Sequence, residues 1–142
     1  MKVIVCVKIC GGEINPFDEA ALEFALSISD DVTVLSMGPK SAEDALKPLT
    51  RLGCKTILVS DKIYAGSDTL ATAYILSQAV KKLKFDIIIC GRQSIDGDTG
   101  QVGAMMSHML DIRLYPFVTK LEGLRAHMRS GKTEDIKMPA LI

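Results

Sequence analysis

The sequence predicts an α/β fold, an open parallel sheet with helices on both faces, and three observations carry that expectation. Short β-branched apolar runs alternate with segments of helical periodicity, the order that gives a parallel sheet with right-handed crossovers. Those runs lack polar alternation, as in Ile87-Ile88-Ile89, which marks strands covered on both faces. With 142 residues and 48% hydrophobic content, the chain has the material for one ordinary core. The expectation is a single domain over residues 1–142, with 121–142 a partial C-terminal extension.

Residues 2–8 read as the first strand, 31–36 as the second, 56–60 as the third and 85–90 as the fourth, with a helix-like segment in each interval. The first helix has a defined start: Asn15 suits the N-cap, Pro16 the first helical position, and Asp18 and Glu19 the first turn. Ala21, Leu22, Ala25 and Leu26 form its apolar stripe. The second helix begins near Pro39 and presents Ala42, Ala45, Leu46 and Leu49. Pro48 lacks an N–H, which in a helix interior costs about 3 kcal/mol, so a kink or early stop is expected there. Asp68 is placed to cap a third helix whose apolar positions are Ala71, Tyr74, Ile75 and Leu83. A fourth helix is expected from about Thr99 to Leu110. Beyond Pro116 the pattern weakens, and residues 121–137 read as turn and surface sequence with no second core. The closing Ala140-Leu141-Ile142 reads as an unprotected strand edge that seeks a partner.

Charge excludes some classes. Lys and Arg number 17, Asp and Glu 17, and no run of five or six like charges interrupts that balance, so there is no footprint for nucleic acid or an anionic membrane. No apolar stretch approaches the roughly 20 residues that span a bilayer. Met1-Lys2-Val3-Ile4-Val5-Cys6-Val7 continues into Lys8 rather than a cleavage region, so a cytoplasmic location without membrane insertion is expected. Cys6, Cys10, Cys54 and Cys90 contain no C-x-x-C pair and read as buried or partly buried thiols rather than metal ligands or disulfides. His108 lies among Met105, Met106, Met109 and Leu110, and neither it nor His127 has an acid partner at motif spacing. Gly131-Lys132-Thr133 resembles the end of a P-loop, but Ala126 stands where that loop needs glycine and no strand is expected before it. No catalytic residue and no metal ligand is assigned.

The chemistry is concentrated in the run from Cys90 to Gly103. Gly91, Gly97, Gly100 and Gly103 allow sharp turns and close approach to a ligand, while Ser94, Thr99 and the N–H groups of the coming helix start can donate to phosphate oxygens. Asp96 and Asp98 argue the other way, because a carboxylate repels phosphate; they must cap the backbone, bind ribose hydroxyls or face water. The same pattern also serves as a plain strand-to-helix turn that binds nothing. In an open parallel sheet, ligands sit at the carboxyl ends of strands where the strand order reverses. The first and fourth strands, ending Cys6-Val7-Lys8 and Cys90-Gly91-Arg92, are the candidates to flank that crevice.

Four segments, taken together and in order, are similar to the beta subunit of electron transfer flavoprotein. They are Val5-Cys6-Val7-Lys8, Ile14-Asn15-Pro16-Phe17-Asp18-Glu19-Ala20-Ala21-Leu22-Glu23, Ser36-Met37-Gly38-Pro39 and the run from Cys90 to Gly103. The similarity covers most of residues 1–120. It implies an adenine-nucleotide-binding, Rossmann-like domain that pairs with an alpha subunit. The implied cofactor-binding residues are Cys6, Asn15, Pro16, Phe17, Asp18 and Met37, with the loop Gly91, Arg92, Gln93, Ser94, Ile95, Asp96, Gly97, Asp98, Thr99, Gly100, Gln101 and Val102. It further implies an electron carrier whose protein groups position a flavin or nucleotide rather than perform covalent catalysis, with a flavin dehydrogenase as electron partner. Members of the family hold either AMP or a second FAD that performs electron bifurcation with NADH. The segment Ser60-Asp61-Lys62-Ile63-Tyr64-Ala65-Gly66-Ser67-Asp68-Thr69-Leu70-Ala71-Thr72, together with Gly97-Asp98-Thr99, resembles the second type, so FAD is expected, with AMP as the alternative.

Two departures accompany the resemblance. Only Ile9-Cys10-Gly11-Gly12-Glu13-Ile14 separates the first strand from Asn15, where family members carry Val-Pro-Asp and a longer excursion, and members continue beyond a Met-Pro-Ala-like strand. A shortened chain, or one lacking loops, is the expectation, with residues 9–13 and 121–136 as the seams. A second reading is a stand-alone ATP- or AMP-binding sensor of the universal-stress-protein kind. It requires a Gly-x-x-Gly turn with a later Gly-Ser or Gly-Thr, which the spacing from Gly91 to Gly103 does not supply. A third is a structural subunit that has lost its ligand.

Overall fold

The structure, a computed structural model, describes residues 1–60, 68–91 and 101–142. In chain order the elements are β1 (Lys2–Val7), β2 (Ile9–Cys10), β3 (Glu13–Ile14), α1 (Pro16–Ile28), β4 (Asp31–Met37), α2 (Glu43–Leu46), β5 (Lys55–Val59), α3 (Thr69–Lys81), β6 (Ile87–Cys90), α4 (Val102–Leu110), β7 (Arg113–Leu114), β8 (Val118–Glu122), β9 (Arg125–Met128), β10 (Thr133–Asp135) and β11 (Ala140–Leu141). Six strands form one sheet in the order β5-β4-β1-β6-β11-β7, and every pairing in it is parallel.

The uninterrupted apolar runs are explained by cover on both faces. Alternate strand residues point to opposite sides. On one side Val3, Val5, Val7, Val32, Val34, Ile87 and Ile89 pack with Leu22 and Ala25 of α1 and with Leu46 and Leu49. On the other, Ile4, Cys6, Leu35, Ile88 and Leu141 meet Ala73, Leu76 and Val80 of α3 and Met106 of α4. Each such aliphatic side chain removed from water contributes about 1.5–3 kcal/mol, so the two faces supply most of the driving force.

Helix ends follow local chemistry. Asp68 accepts a hydrogen bond from the Ala71 N–H at 2.8 Å, as expected of the cap of α3. The segment with Pro48 stops early: α2 is four residues long, and Lys47–Leu52 continues as a 3-10 turn closed by Gly53 at φ 86°. The buried face of α3, however, is Ala73, Leu76, Ser77 and Val80, while Tyr74, expected in the stripe, is 56% exposed. The helix is rotated because α4 packs against it, and that neighbour selects the face.

Two further expectations are corrected in the C-terminal part. Residues 121–137 are not coreless: β8, β9 and β10 form an antiparallel sheet, and Ala126 and Ile136 are buried with Tyr115 and Ala140. A strand, β9, therefore does precede Gly131, but it leads into an antiparallel hairpin in which Gly131 takes φ 91°, and no P-loop is formed. Nor are Ala140 and Leu141 an open edge. They pair with β6 on one side and β7 on the other and are 0% and 1% exposed, so the sheet edges are β5 and β7. The terminal-edge argument for a partner falls with that observation.

Candidate functional site

The sheet reverses its order at β1. The chain builds outward through β4 and β5 on one side, then returns to place β6 on the other, so the switch point lies between β1 and β6 as the sequence predicts. Their shared ladder runs from Val3 opposite Ile87 to Cys6 opposite Cys90. Above the last rung the strands diverge into Lys8 and Gly91, and α1 begins beside them.

The short link from β1 to α1 is a closed hairpin. Ile9 pairs with Ile14 and Cys10 with Glu13. Gly11 and Gly12 take φ 60° and 81°, the positive pair that a two-residue turn of this kind needs. The Asn15 N–H then donates to the Lys8 carbonyl at 2.8 Å, which sets α1 directly over the end of β1. Asn15 occupies the N-cap position as expected, and its carbonyl accepts from the Asp18 and Glu19 N–H groups at 2.9 and 3.0 Å. Its side chain is fully buried and makes no capping hydrogen bond. Pro16 and Phe17 are exposed in the first turn, Phe17 by 38%.

Asp18 is 7% exposed, unusual for a carboxylate in a helix first turn. Its Oδ2 accepts from the Lys8 N–H at 2.8 Å, an N–H just past the end of the β1 ladder. Gly91, the first residue after β6, faces the same carboxylate: a Cβ there would overlap the Asp18 carboxyl group, 3.1 Å from Cγ. On the opposite face of the sheet, Cys6 and Cys90 lie side by side beneath α4, where a Cβ on Gly103 would sit 3.3 Å from the Cys90 Cβ. Gly103 thus seats the first turn of α4 on the end of β6.

The two helix starts at the crevice differ in charge. α1 carries Asp18 and Glu19 in its first turn; α4 has no acidic residue there and no side-chain cap among the described residues. The N-terminal N–H groups of α4 are therefore suited to an anion, whereas those of α1 face the chain's own carboxylates.

Of the site residues predicted from sequence, the structure brings Asn15, Asp18 and Gly91 to the carboxyl ends of β1 and β6, with Gln101 and Val102 opening α4 beyond. Cys6 is buried on the face toward α4 rather than toward α1. Met37 ends β4, one strand away, opposite Val59. Arg92, Gln93, Ser94, Ile95, Asp96, Gly97, Asp98, Thr99 and Gly100 lie outside the described residues, as does 61–67 of the segment that resembles the FAD-holding type. Sequence reasoning missed the part played by the Lys8 backbone, signalled only by its place at a strand end, and read the close approach at Gly103 as one to a ligand rather than to Cys90.

Elsewhere, a cavity of about 320 Å³ is lined by Arg113, Leu114, Pro116, Phe117, Met128, Ser130, Lys132 and Glu134. It contains none of the predicted site residues and borders β7, two strands beyond β6. No group of three metal-ligating side chains occurs among the described residues. Burial pushes the Cys54 thiol up, away from the thiolate that a nucleophile needs. No helix among the described residues is long and apolar enough to cross a membrane.

Comparison with known proteins agrees with this architecture. Residues 3–130 match the family model described as electron transfer flavoprotein domain. The electron transfer flavoprotein subunit beta of Thermoanaerobacterium thermosaccharolyticum is 47% identical over 114 residues, covering 77% of this chain and 44% of that one. The protein of the same name from Megasphaera elsdenii is 41% identical over 148 residues, covering 90% and 55%. The protein FixA of Rhizobium meliloti is 43% identical over 131 residues, covering 85% and 45%. The chain spans about half the length of the curated relatives it matches.

Proposed function

The chain belongs to the electron transfer flavoprotein family, and from that premise we propose that it is a beta-subunit-type electron carrier that holds FAD at the β1–β6 crevice and works with an alpha subunit. The observation that carries the reading is the exit of β6. It passes through Gly91, held against Asp18, toward the N-terminus of α4, which has no acid in its first turn and packs closely on Cys90 through Gly103. A phosphate chain is favoured at that helix start and disfavoured at α1, whose own acids offset its dipole. The residues present therefore fit a nucleotide. Val102 and Gly103, in the first turn of α4, would supply backbone N–H groups to the phosphates.

When bound, FAD supplies the redox chemistry, accepting electrons from a donor and passing them on. The chain's own residues bind and orient it. The choice of FAD over AMP is supported by residues 60–72 and by Gly97-Asp98-Thr99. An alpha subunit is supported by relatives named as a subunit beta, and a flavin dehydrogenase as electron partner by the sequence resemblance alone.

The test is the absorption spectrum and the mass spectrum of nucleotide released from the chain purified with its co-purifying subunits and no added flavin. FAD assigned to this chain, reduced by NADH in the complex, is the expected result. AMP in this chain with FAD confined to its partner would replace the FAD reading by a structural AMP. The absence of any nucleotide would remove both.

A further inference from the structure

We propose that Asp18 is a positioning residue: its buried carboxylate is a wedge between the ends of β1 and β6 that fixes where Gly91, and hence the strand exit toward the nucleotide, can sit. The inference deepens the nucleotide-binding reading and rests on it.

The β1–β6 ladder ends at Cys6 opposite Cys90, and the β1–β4 ladder at Val7 opposite Ser36. The next N–H, that of Lys8, lies beyond both ladders, and Asp18 accepts from it at 2.8 Å. A carboxylate is a stronger acceptor for a main-chain N–H than a neutral group. It is also favoured by the positive end of α1, whose first turn it occupies. Three elements are thereby tied by one side chain: α1 carries it, β1 donates to it, and the residue after β6 packs on it.

A side chain at Gly91 would meet that carboxylate. The overlap of a Cβ is with the carboxyl group, which is tied to the Lys8 N–H, while the approach to the Asp18 Cα at 3.2 Å needs a shift of only a few tenths of an ångström. The helix start would have to move away from β1 or the strand exit from α1, and either shift alters the width of the crevice. Gly91 and Asp18 are complementary in volume: the absence of a side chain at one is matched by a buried carboxylate at the other.

The test titrates FAD, by fluorescence, and AMP, by calorimetry, into the nucleotide-depleted full chain and its variants, with circular dichroism reporting folding. Gly91→Ala is expected to weaken the nucleotide that the unmodified chain binds by about tenfold or more, and Asp18→Ala by less, because contacting residues couple strongly. The double variant Asp18→Ala with Gly91→Ala should bind no worse than Asp18→Ala alone, since removal of the carboxylate makes room for the new methyl. Asp18→Asn keeps the shape and an acceptor for Lys8 but loses the charge, and should weaken binding less than Asp18→Ala does. If Gly91→Ala does not fold, recovery of the folded spectrum in the double variant is the same rescue. Losses that add in the double variant, or a Gly91→Ala that binds normally, overturn the wedge alone. An unmodified chain that binds neither FAD nor AMP overturns the nucleotide reading and the wedge with it.

Discussion

Tyr115 joins the two sheets. Its side chain is buried, its hydroxyl accepts from the Lys137 N–H at 3.0 Å, its own N–H donates to the Leu141 carbonyl at 2.8 Å, and the Arg113 guanidinium lies 5.1 Å from its ring centre. Tyr115→Phe keeps the packing but removes the acceptor for Lys137, a loss of about 1–2 kcal/mol that should appear as a lower urea midpoint with unchanged slope. Nearby, Glu134 receives hydrogen bonds or ion pairs from Lys132 at 2.6 Å and Arg113 at 2.8 Å. The Lys132 hydrogen bond, with the charges of Arg113 and Lys132 and against partial burial, holds the Glu134 carboxyl below the ordinary 4.5. A carboxyl depressed in the folded state contributes stability that is complete above its unfolded value and is lost as pH falls through the folded one. Melting temperatures should therefore be flat in this respect above pH 5 and fall on the acid side of 4.5, and Glu134→Gln should reduce that acid slope. An unaltered slope in the variant would show that the ion pairs are too screened to matter.

Among the elements, α3 separates what local chemistry dictates from what neighbours decide. Its start is set by Asp68, and Asp68→Ala should cost about 1 kcal/mol in denaturant unfolding, since the Ala71 N–H loses its acceptor. That cap was legible because capping involves residues three apart. The buried face of α3 was not, because Leu70 and Tyr74 compete with Ala73, Leu76, Ser77 and Val80 for burial and are richer in apolar surface, yet both are exposed. Contact with α4 decides between those faces, and no window on the sequence contains α4. The short α2 was legible for the same local reason as the cap, Pro48 being incompatible with a longer helix. At the site, the glycine after β6 and the Asn15-Pro16 helix start could be read directly. The burial of Asp18 could not, because Asp18 and Gly91 are 73 positions apart and meet only once β6 has been laid beside β1. Strand β7 was missed because two residues carry no period, and β11 was read as a strand but at an edge, because its neighbours β6 and β7 are distant in sequence.

For the molecule as a whole, the decisive feature is that β11 enters the sheet between β6 and β7 after the chain has passed through the antiparallel unit. The crevice strand is thus held from both sides: β1 pairs with it on one, and on the other the Ile142 carbonyl accepts from the Cys90 N–H at 3.0 Å while the Ile142 N–H donates to Ile88 at 2.8 Å. Cys90 immediately precedes Gly91, so the hydrogen bond that fixes the end of β6 comes from residues with no place in the crevice. Removing residues 139–142 would expose the edge of β6 and part it from β7, and the burial of Ala140 and Leu141 would be lost with it. Hydrogen exchange should then show loss of protection at the Cys90 and Tyr115 amides, while amides in β4 and β5, on the far side of β1, keep theirs longer. FAD retention should fall in parallel, because the wedge formed by Asp18 can set the position of Gly91 only if β6 itself is fixed. If the shortened chain retains FAD fully with Cys90 still protected, β1 alone holds the crevice strand, and the C-terminal unit serves the sheet without serving the site.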